Sequence, residues 1–368
     1  MSGPRTLHIE LGRHRLGGTM QVFYLTRALT QAAEPCLLVT PTGSPLHDLA
    51  LGAGVPCADI PYAGDIDVVS LFRLINIMRR FKPDIVHIHS RRGADIWGAL
   101  AARIVGNCQV ILARRVDDPL APGPLNRWRY GSLCDRVVAV SQGIVRALIA
   151  GGVPSSKIRQ VYSAIEADKY QSDVEPEAIR RELGLQSEGP VLGVIAQLIP
   201  RKGHRFLIEA LPAIHNQHPN CQLLFLGIGE SENTLRDQVA HLGLQDHVVF
   251  AGYRDDVGRV LRAMTLLIHP ATMEGFANVA MQAMAAEVPV VTSDVGGMPE
   301  SVVHGETGLV VTPEDPAALA NAICELLADP ARRAMMGQAG RARVEQTFTV
   351  DAMVNGTREI YRELLFQA

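Results

Sequence analysis

Two loops carry residues that could together hold a diphosphate and neighbouring hydroxyl groups. Residues 274–299 are predicted to form a loop, a short helix, a buried strand and a Gly-Gly turn. Amides at a helix start can donate hydrogen bonds to an anion, and Gly275 lets the backbone approach a ligand closely. Asn278 is the predicted helix cap. The Glu274 carboxylate can accept bonds from two adjacent hydroxyl groups, so the segment favours binding of a sugar attached to a diphosphate.

The second loop supplies the cation that a diphosphate requires. Residues 194–204 are predicted as a strand end, a turn and a helix start, with Arg201 and Lys202 in the turn. Cations normally favour the C-terminal end of a helix, so two of them at a helix start favour a bound anion. An ordinary solvated helix start is the alternative interpretation.

Both loops resemble the donor site of the GT4 group, retaining glycosyltransferases of the GT-B fold that use nucleotide sugars. The family pattern is Glu, then Gly-Phe or Gly-Tyr, and a second Glu eight residues after the first, where this chain has Gln282. The Lys202 loop resembles the family element Gly-Arg-Leu-x-x-x-Lys-Gly, with Gln197 in the place of its Arg. The resemblance implies that Glu274 fixes the transferred sugar, that Lys202 holds the diphosphate, and that Gln282 accepts a bond from the ribose.

The resemblance extends to further donor-binding residues. They are Gln197, Arg201, Gly275, Phe276, Ala277, Asn278 and Val279, with Tyr253 and Arg254 as candidates to stack on the base. The alternative for Gln282 is an ordinary helix residue, with the nucleotide held elsewhere.

The first half of the chain carries a Gly-Gly pair and two histidines. Gly17 and Gly18 resemble the family loop that approaches the donor diphosphate, and the pattern is not the GxGxxG of a dinucleotide site. His87 and His89 lie on the same side of a predicted strand, but no carboxylate or Cys cluster accompanies them, so no metal is predicted. The resemblance implies that His89 is a catalytic residue near the transferred sugar and His87 a core residue. Basic residues nearby could contact an anionic acceptor or simply be solvated: Arg13, His14, Arg15, Arg91 and Arg92.

Short apolar runs alternate with helical patterns throughout the chain, which predicts an α/β protein with parallel sheets covered on both faces. The predicted strands are 7–11, 35–40, 84–89, 109–114, 136–141, 191–198, 222–229, 247–252, 266–270, 288–293 and 308–311. A chain of 368 residues exceeds the usual size of a single core. We expect an acceptor-binding domain over 1–165, a linker over 166–190 and a nucleotide-sugar-binding domain over 191–347.

The resemblance implies two Rossmann-like, doubly wound domains that face each other across a cleft. It also implies that a C-terminal helix, about 348–368, crosses back to the first domain. The apolar anchors of this helix are expected to be Met353, Ile360, Tyr361 and Leu365.

Composition bears on where the protein works. Residues 1–170 contain 20 Lys and Arg against 13 Asp and Glu, whereas residues 171–368 contain 15 against 25. A basic first half suits an anionic partner, and an unevenly charged solvated surface is the alternative. The six cysteines have no CxxC spacing, which favours buried thiols in a reducing cytosol. We expect a cytoplasmic protein whose arginine-flanked helix 69–82 and segment 127–130 could contact the inner face of the membrane.

The resemblance to the GT4 group implies a retaining hexosyl- or other glycosyltransferase that acts without a metal or a cofactor. It would move a sugar from a nucleotide-diphosphate sugar, with a UDP-sugar as first choice, to a hydroxyl of a cell-envelope glycan or glycolipid. The expected setting is lipopolysaccharide or polysaccharide biosynthesis, with no nucleic-acid partner. A GT-B sugar-nucleotide epimerase and a non-catalytic nucleotide-sugar-binding protein are the alternatives, and an NAD oxidoreductase is disfavoured.

Overall fold

The computed structural model describes residues 3–13, 17–90, 93–120 and 123–366. The described chain forms two compact units, one up to Ala164 together with the chain from Val350, and the other from Ile165 to Thr349. Each unit is built on one sheet in which all the strand pairs are parallel. This confirms the predicted α/β class.

The first unit has a seven-stranded sheet with the order β3-β2-β1-β4-β5-β6-β7. Its strands are β1 Thr6–Ile9, β2 Cys36–Pro41, β3 Cys57–Ile60, β4 Ile85–Ile88, β5 Gln109–Arg114, β6 Arg136–Ala139 and β7 Ile158–Gln160. Its helices up to Ala164 are α1 Gly17–Gln31, α2 Pro45–Gly52, α3 Val68–Phe81, α4 Ala94–Val105, α5 Pro124–Arg127 and α6 Gln142–Ala150.

The two edge strands, β3 and β7, are the strands that sequence patterning missed. The central strands β1 and β4 are wholly buried and mostly apolar, whereas β3 is largely half-buried or exposed. An edge strand has one unpaired side and tolerates polar residues, so its sequence lacks the apolar signal of a central strand. The predicted helix at 69–82 is found as α3, Val68–Phe81, and the Asp67 side chain caps the Ser70 amide at 3.2 Å.

The second unit has a six-stranded sheet with the order β10-β9-β8-β11-β12-β13. Its strands are β8 Val191–Ile195, β9 Gln222–Leu226, β10 Val248–Phe250, β11 Leu266–His269, β12 Val290–Ser293 and β13 Gly308–Val311, so each of the six predicted strands of this half is found. Its helices are α7 Pro176–Glu182, α8 His204–His215, α9 Glu232–His241, α10 Val257–Leu261, α11 Asn278–Ala285, α12 Met298–Ser301, α13 Pro316–Ala328 and α14 Pro330–Thr347. The segment 166–190 carries a 3₁₀ turn, Ala167–Tyr170, and α7.

The last helix, α15 Val350–Phe366, packs into the core of the first unit, as predicted. Met353, Ile360 and Tyr361 are buried there, but Leu364 takes the buried place that was expected for Leu365. Leu364 lies four residues after Ile360 and three after Tyr361, so helical spacing puts it on the same face. Across the described ranges, every helix is too short or too polar to cross a membrane. All six cysteines are free thiols.

Candidate active site

The Glu274 carboxylate lies in the second unit with a lysine and a histidine around one of its oxygens. The Lys202 ammonium forms a short ion pair with Glu274 Oε2, and His269 Nε2 lies 3.0 Å from the same oxygen. The side chains of Glu274 and Lys202 are only 12% and 13% exposed. Sequence patterning did not single out His269; its signal was a polar residue at the end of an apolar strand, five residues before Glu274.

Backbone geometry brings Lys202 to Glu274 although 72 residues separate them. Gly203 has a left-handed φ of 71°, and a Cβ built on it would lie 1.8 Å from the Pro270 carbonyl oxygen. The turn before α8 therefore packs directly on the chain leaving β11, which only glycine permits. The Thr272 amide donates to the Arg201 carbonyl at 2.9 Å and fixes the two loops together.

The electrostatics of this cluster favour an ionised glutamate. Burial alone would raise the pKa of Glu274, but the His269 hydrogen bond and the Lys202 charge outweigh it and hold that pKa well below its usual range. Burial lowers the pKa of His269, against the opposing effect of Glu274, and burial also lowers the pKa of His204 to about 3. The cluster therefore combines one cation and one anion with neutral imidazoles at neutral pH.

The start of α11 corrects the predicted cap. Asn278 is the first helical residue, and the N-cap is Ala277, with φ −81° and ψ 107°. An alanine methyl group cannot accept a hydrogen bond, so this helix start has no side-chain cap at its N-cap residue. Phe276 and Ala277 are buried, and the Phe276 ring packs edge-to-face on Phe348 with centroids 5.5 Å apart. Buried anchors thus hold this helix start in place, while Val279 in its first turn is half-buried.

Gln282 lies one turn further along α11, and its side-chain amide is already engaged. Gln282 Nε2 donates to the Tyr170 hydroxyl at 2.9 Å. Tyr170 belongs to the 3₁₀ turn in the segment that was predicted to be a linker, and sequence reasoning gave it no role. The hydrogen bond leaves the carbonyl oxygen of Gln282 as the atom that could accept from a ligand.

The other predicted donor residues have different environments. Gln197 is exposed, and Arg201 is half-buried with a long 3.5 Å contact to the Met273 carbonyl. Tyr253 is 62% exposed. Arg254 is held by two carboxylates, in a bidentate pair with Asp256 and a 2.7 Å contact with Glu182. Of the two candidates for stacking on a base, Tyr253 therefore has an exposed ring, whereas the Arg254 guanidinium is engaged by the two carboxylates.

The predicted histidines of the first unit form a buried cluster with a third. His8 on β1 pairs in register with His87 on β4, and His89 follows β4 directly. The three side chains are at most 4% exposed, and their potential ligand nitrogens all lie within 4.8 Å of one another. His8 Nδ1 and His89 Nε2 are hydrogen-bonded at 3.1 Å, and His87 Nδ1 lies 2.8 Å from the Tyr361 hydroxyl. Sequence reasoning missed His8 because strand register cannot be read from local pattern.

The Gly-Gly pair opens the helix beside this cluster. Gly17 and Gly18 are the first residues of α1, and a Cβ on Gly18 would lie 3.4 Å from the Arg115 side chain. Arg115 NH2 in turn lies 3.3 Å from His89 Nδ1. Glu10, buried at the end of β1, accepts from the Gly12 amide at 2.8 Å. The predicted contacts of His14, Arg15, Arg91 and Arg92 lie outside the described residues.

Two family profiles match the chain. The profile described as "Glycosyl transferases group 1" matches residues 175–343, and "Glycosyltransferase Family 4" matches residues 17–169. A GDP-mannose-dependent monoacylated alpha-(1-6)-phosphatidylinositol monomannoside mannosyltransferase of Corynebacterium glutamicum is 33% identical over 292 residues, which cover 72% of this chain and 75% of the relative. The chain belongs to this glycosyltransferase family.

Other relatives are matched over a smaller part of their length. A GDP-mannose-dependent alpha-(1-6)-phosphatidylinositol monomannoside mannosyltransferase of Mycolicibacterium smegmatis is 33% identical over 229 residues. That match covers 58% of this chain and 58% of the relative.

Solved structures share the whole fold. A glycosyltransferase from Rickettsia africae superposes with a TM-score of 0.88 over 100% of both chains, at 19% identity. Anabaena HepE, solved in complex with UDP and glucose, superposes with a TM-score of 0.85 at 22% identity, over 98% of this chain and 100% of its own. The fold is therefore of the GT-B class, with two Rossmann-like domains, as predicted.

Proposed function

We propose that this protein is a retaining glycosyltransferase that moves a sugar from a nucleotide-diphosphate sugar to a hydroxyl group of a cell-envelope glycan or glycolipid. The observation that carries the proposal is the buried cluster of Glu274, Lys202 and His269 beside the start of α11. The relatives reported above are named as transferases, which favours transfer over the epimerase and binding-protein alternatives.

The cluster suits a donor substrate because Lys202 and Glu274 would bind different parts of it. The Lys202 ammonium and the first-turn amides of α11 would neutralise the diphosphate as it leaves, which is the part that a divalent metal plays in other transferases. The ionised Glu274 carboxylate would accept hydrogen bonds from hydroxyls of the transferred sugar and fix the ring. The Gln282 carbonyl would accept from the ribose, and Tyr253 would stack on the base. Gly17 and Gly18 would approach the diphosphate.

In this proposal catalysis is positioning plus neutralisation of charge. The sugar is transferred on the face from which the diphosphate departs, and a phosphate oxygen assists loss of the acceptor proton, as the family resemblance implies. His89 in the first domain is the proposed catalytic residue near the sugar. We assign acceptor binding to the domain at 1–165 and donor binding to the domain at 191–347. Residues 166–190 are the linker between these domains in sequence.

The first unit contains a cavity that suits an anionic acceptor. It has a volume of about 770 Å³, and two arginines, Arg13 and Arg73, line it with one acid, Asp67, so the charged side chains leave an excess of one positive charge. Asp67 Oδ2 lies 3.8 Å from Arg73 NH1, whereas Arg13 lies near the hydroxyl-bearing Tyr62. Both guanidinium groups are steadied by backbone carbonyls, of Tyr62 and Pro61 respectively, and each retains further N–H donors. The names of both bacterial relatives specify phosphatidylinositol mannosides, glycolipids that carry a phosphate.

An apolar surface on the same unit supports contact with a membrane. The apolar side chains Leu74, Ile75 and Met78 of α3 are buried, so they are not the contact surface. The exposed face of α3 and the preceding loop instead carry large apolar residues at one end and basic residues at the other: Ile66, Val68, Val69 and Phe72, then Arg79, Arg80 and Lys82. Apolar insertion beside a basic surface is how an interfacial helix binds anionic lipid.

Vesicle sedimentation tests this contact. We expect binding to vesicles of phosphatidylcholine with phosphatidylglycerol at low salt, weaker binding to pure phosphatidylcholine, and loss of binding in Phe72→Ser. Leu51→Ser is the matched control, because Leu51 is an exposed apolar residue on another helix, α2, with 53% exposure against 65% for Phe72. Equal binding by the two variants would contradict a role for this face and favour a soluble acceptor.

Label transfer tests the function itself. UDP-, GDP- and ADP-sugars labelled in the sugar are incubated with a bacterial glycolipid fraction in EDTA, and the labelled product is separated. We expect transfer from one donor class. The transfer rate should fall by about 100-fold or more in Glu274→Gln and Glu274→Ala, and the control Glu306→Gln should transfer at the wild-type rate. Glu306 is an exposed carboxylate of the same unit. A strict metal requirement, or wild-type turnover in Glu274→Ala, would contradict the proposal.

A further inference from the structure

A chain of hydrogen bonds runs through the first unit from Arg115 to a backbone carbonyl. Arg115 NH2 lies 3.3 Å from His89 Nδ1, His89 Nε2 lies 3.1 Å from His8 Nδ1, and His8 Nε2 lies 3.2 Å from Thr6 Oγ1. The Thr6 hydroxyl then donates to the Pro35 carbonyl oxygen at 3.4 Å. His8, His89 and Thr6 are at most 4% exposed.

The chemistry of the two ends gives this chain one direction. A guanidinium group only donates, so His89 Nδ1 must accept from Arg115. A neutral imidazole has one N–H, so His89 then carries its proton on Nε2 and donates to His8 Nδ1. His8 in turn carries its proton on Nε2 and donates to Thr6, whose own proton goes to the Pro35 carbonyl. Each donor meets an acceptor, and the opposite direction would set a donor against the guanidinium.

Burial supports the neutral state that this direction requires. Burial lowers the pKa of His8 to about 3, and burial together with neighbouring charges holds the pKa of His89 well below its usual value. Both rings therefore remain neutral throughout the physiological range. Each has a single proton, and the hydrogen-bond partners alone decide which nitrogen holds it.

We propose that Arg115 is a positioning residue that fixes His89 in the Nε2–H tautomer, with His8 and Thr6 as the acceptors that complete the lock. The inference rests on the proposed function for the importance of His89, but the tautomer itself does not depend on any activity. It also changes what His89 can do, because the only lone pair of its ring, on Nδ1, faces Arg115. Any proton that His89 accepts must therefore come to Nδ1, in competition with Arg115.

The same hydrogen bonds argue against a metal at these three histidines. A metal ion would need an available lone pair from each ring, and the lone pairs of His8 and His89 are used by His89 and Arg115. The guanidinium beside His89 would also repel a cation. The tautomer lock accounts for the contact between the His8 and His89 rings without an ion.

Nitrogen NMR of the protein labelled with ¹⁵N-histidine tests the lock without any substrate. Two-bond nitrogen–proton correlations distinguish the tautomers, and His8→Gln and His89→Gln spectra assign the two rings among the 12 histidines. We expect the Nε2–H form for both. Arg115→Met removes the donor at Nδ1 and should give a mixture of tautomers at His89, whereas Arg115→Lys retains a donor and should preserve the single form.

Tyr361→Phe is the matched control, because it removes the hydroxyl beside His87 and leaves the chain intact. An Nδ1–H form of His89 in the wild type, or an unchanged His89 spectrum in Arg115→Met, would overturn the assignment. For the reaction, we expect kcat of Arg115→Met to be about tenfold or more below that of Arg115→Lys, with similar donor KM. Equal kcat values would overturn the positioning role, whereas an inactive wild type with the expected tautomers would count only against the proposed function.

Discussion

Replacing Glu10 by Gln should stabilise the first unit at alkaline pH. Glu10 is only 5% exposed, and burial raises the pKa of its carboxyl group from 4.5 to about 7, although the Gly12 amide and the Arg115 charge oppose the change. Between about pH 4.5 and 7, Glu10 therefore keeps its proton in the folded protein but has lost it in the unfolded chain. Because the native state binds more protons than the unfolded state there, stability falls as the pH rises through this window.

The magnitude follows from the size of the pKa change. Each pKa unit corresponds to 1.36 kcal/mol, so ionisation of Glu10 costs the folded state about 3 kcal/mol once the pH exceeds 7. Gln has the same shape, keeps a carbonyl oxygen for the Gly12 amide at 2.8 Å and never ionises. We therefore expect Glu10→Gln to gain up to about 3 kcal/mol over the wild type at pH 8, with the difference shrinking towards zero near pH 4.5.

Urea unfolding followed by tryptophan fluorescence is the assay. The two tryptophans, Trp97 and Trp128, both belong to the first unit, so their emission reports the unit that contains Glu10. Glu359→Gln is the control, because Glu359 is an exposed carboxylate of the same unit. Parallel pH profiles for the wild type and Glu10→Gln, or a less stable Glu10→Gln at pH 8, would refute the reasoning.

Two further variants test how the donor-side loops are built. Gly203→Ala should destabilise the second unit by about 2 kcal/mol or more, because Gly203 has a φ of 71° and a Cβ there would meet the Pro270 carbonyl oxygen. Far-UV circular dichroism during urea unfolding measures the loss of stability. An unchanged unfolding midpoint would contradict this prediction. Tyr170→Phe should lower the free energy of unfolding by about 1 kcal/mol, because it removes the hydroxyl that accepts from the Gln282 amide at 2.9 Å. The double variant with Gln282→Leu should lose no more stability than Tyr170→Phe alone. Additive losses would show that the two side chains act independently.

The sequence predicted central features of the fold because they have strong physical signals. Fully buried parallel strands such as β4 and β11 are mostly apolar, with one histidine each, and the turn at Gly203 follows from a residue type that tolerates a left-handed φ. The edge strands β3 and β7 were missed because their exposed sides accept polar residues. The N-cap of α11 was predicted at Asn278 and is found one residue earlier, at Ala277, because side-chain preferences define a cap less sharply than backbone angles do.

The environments of the site residues were harder to predict than the residues themselves. Lys202 and Glu274 were singled out from motifs, but their ion pair depends on how two loops pack. The contacts of Gln282 with Tyr170 and of His89 with His8 join positions 112 and 81 residues apart in sequence. Such pairs follow from the register and packing of a folded sheet, which a single sequence without related sequences does not encode locally.

Isothermal titration of the wild type and Lys202→Met with UDP-glucose and GDP-mannose in EDTA tests the central claim most directly. We expect one of these donors to bind the wild type without a metal and to lose about 10- to 100-fold in affinity in Lys202→Met, as for a charge-assisted hydrogen bond of about 1.5–3 kcal/mol. Arg205→Met, which removes an exposed cation three residues away, should bind like the wild type. Equal affinity in Lys202→Met, or binding only with added magnesium or manganese, would contradict the account.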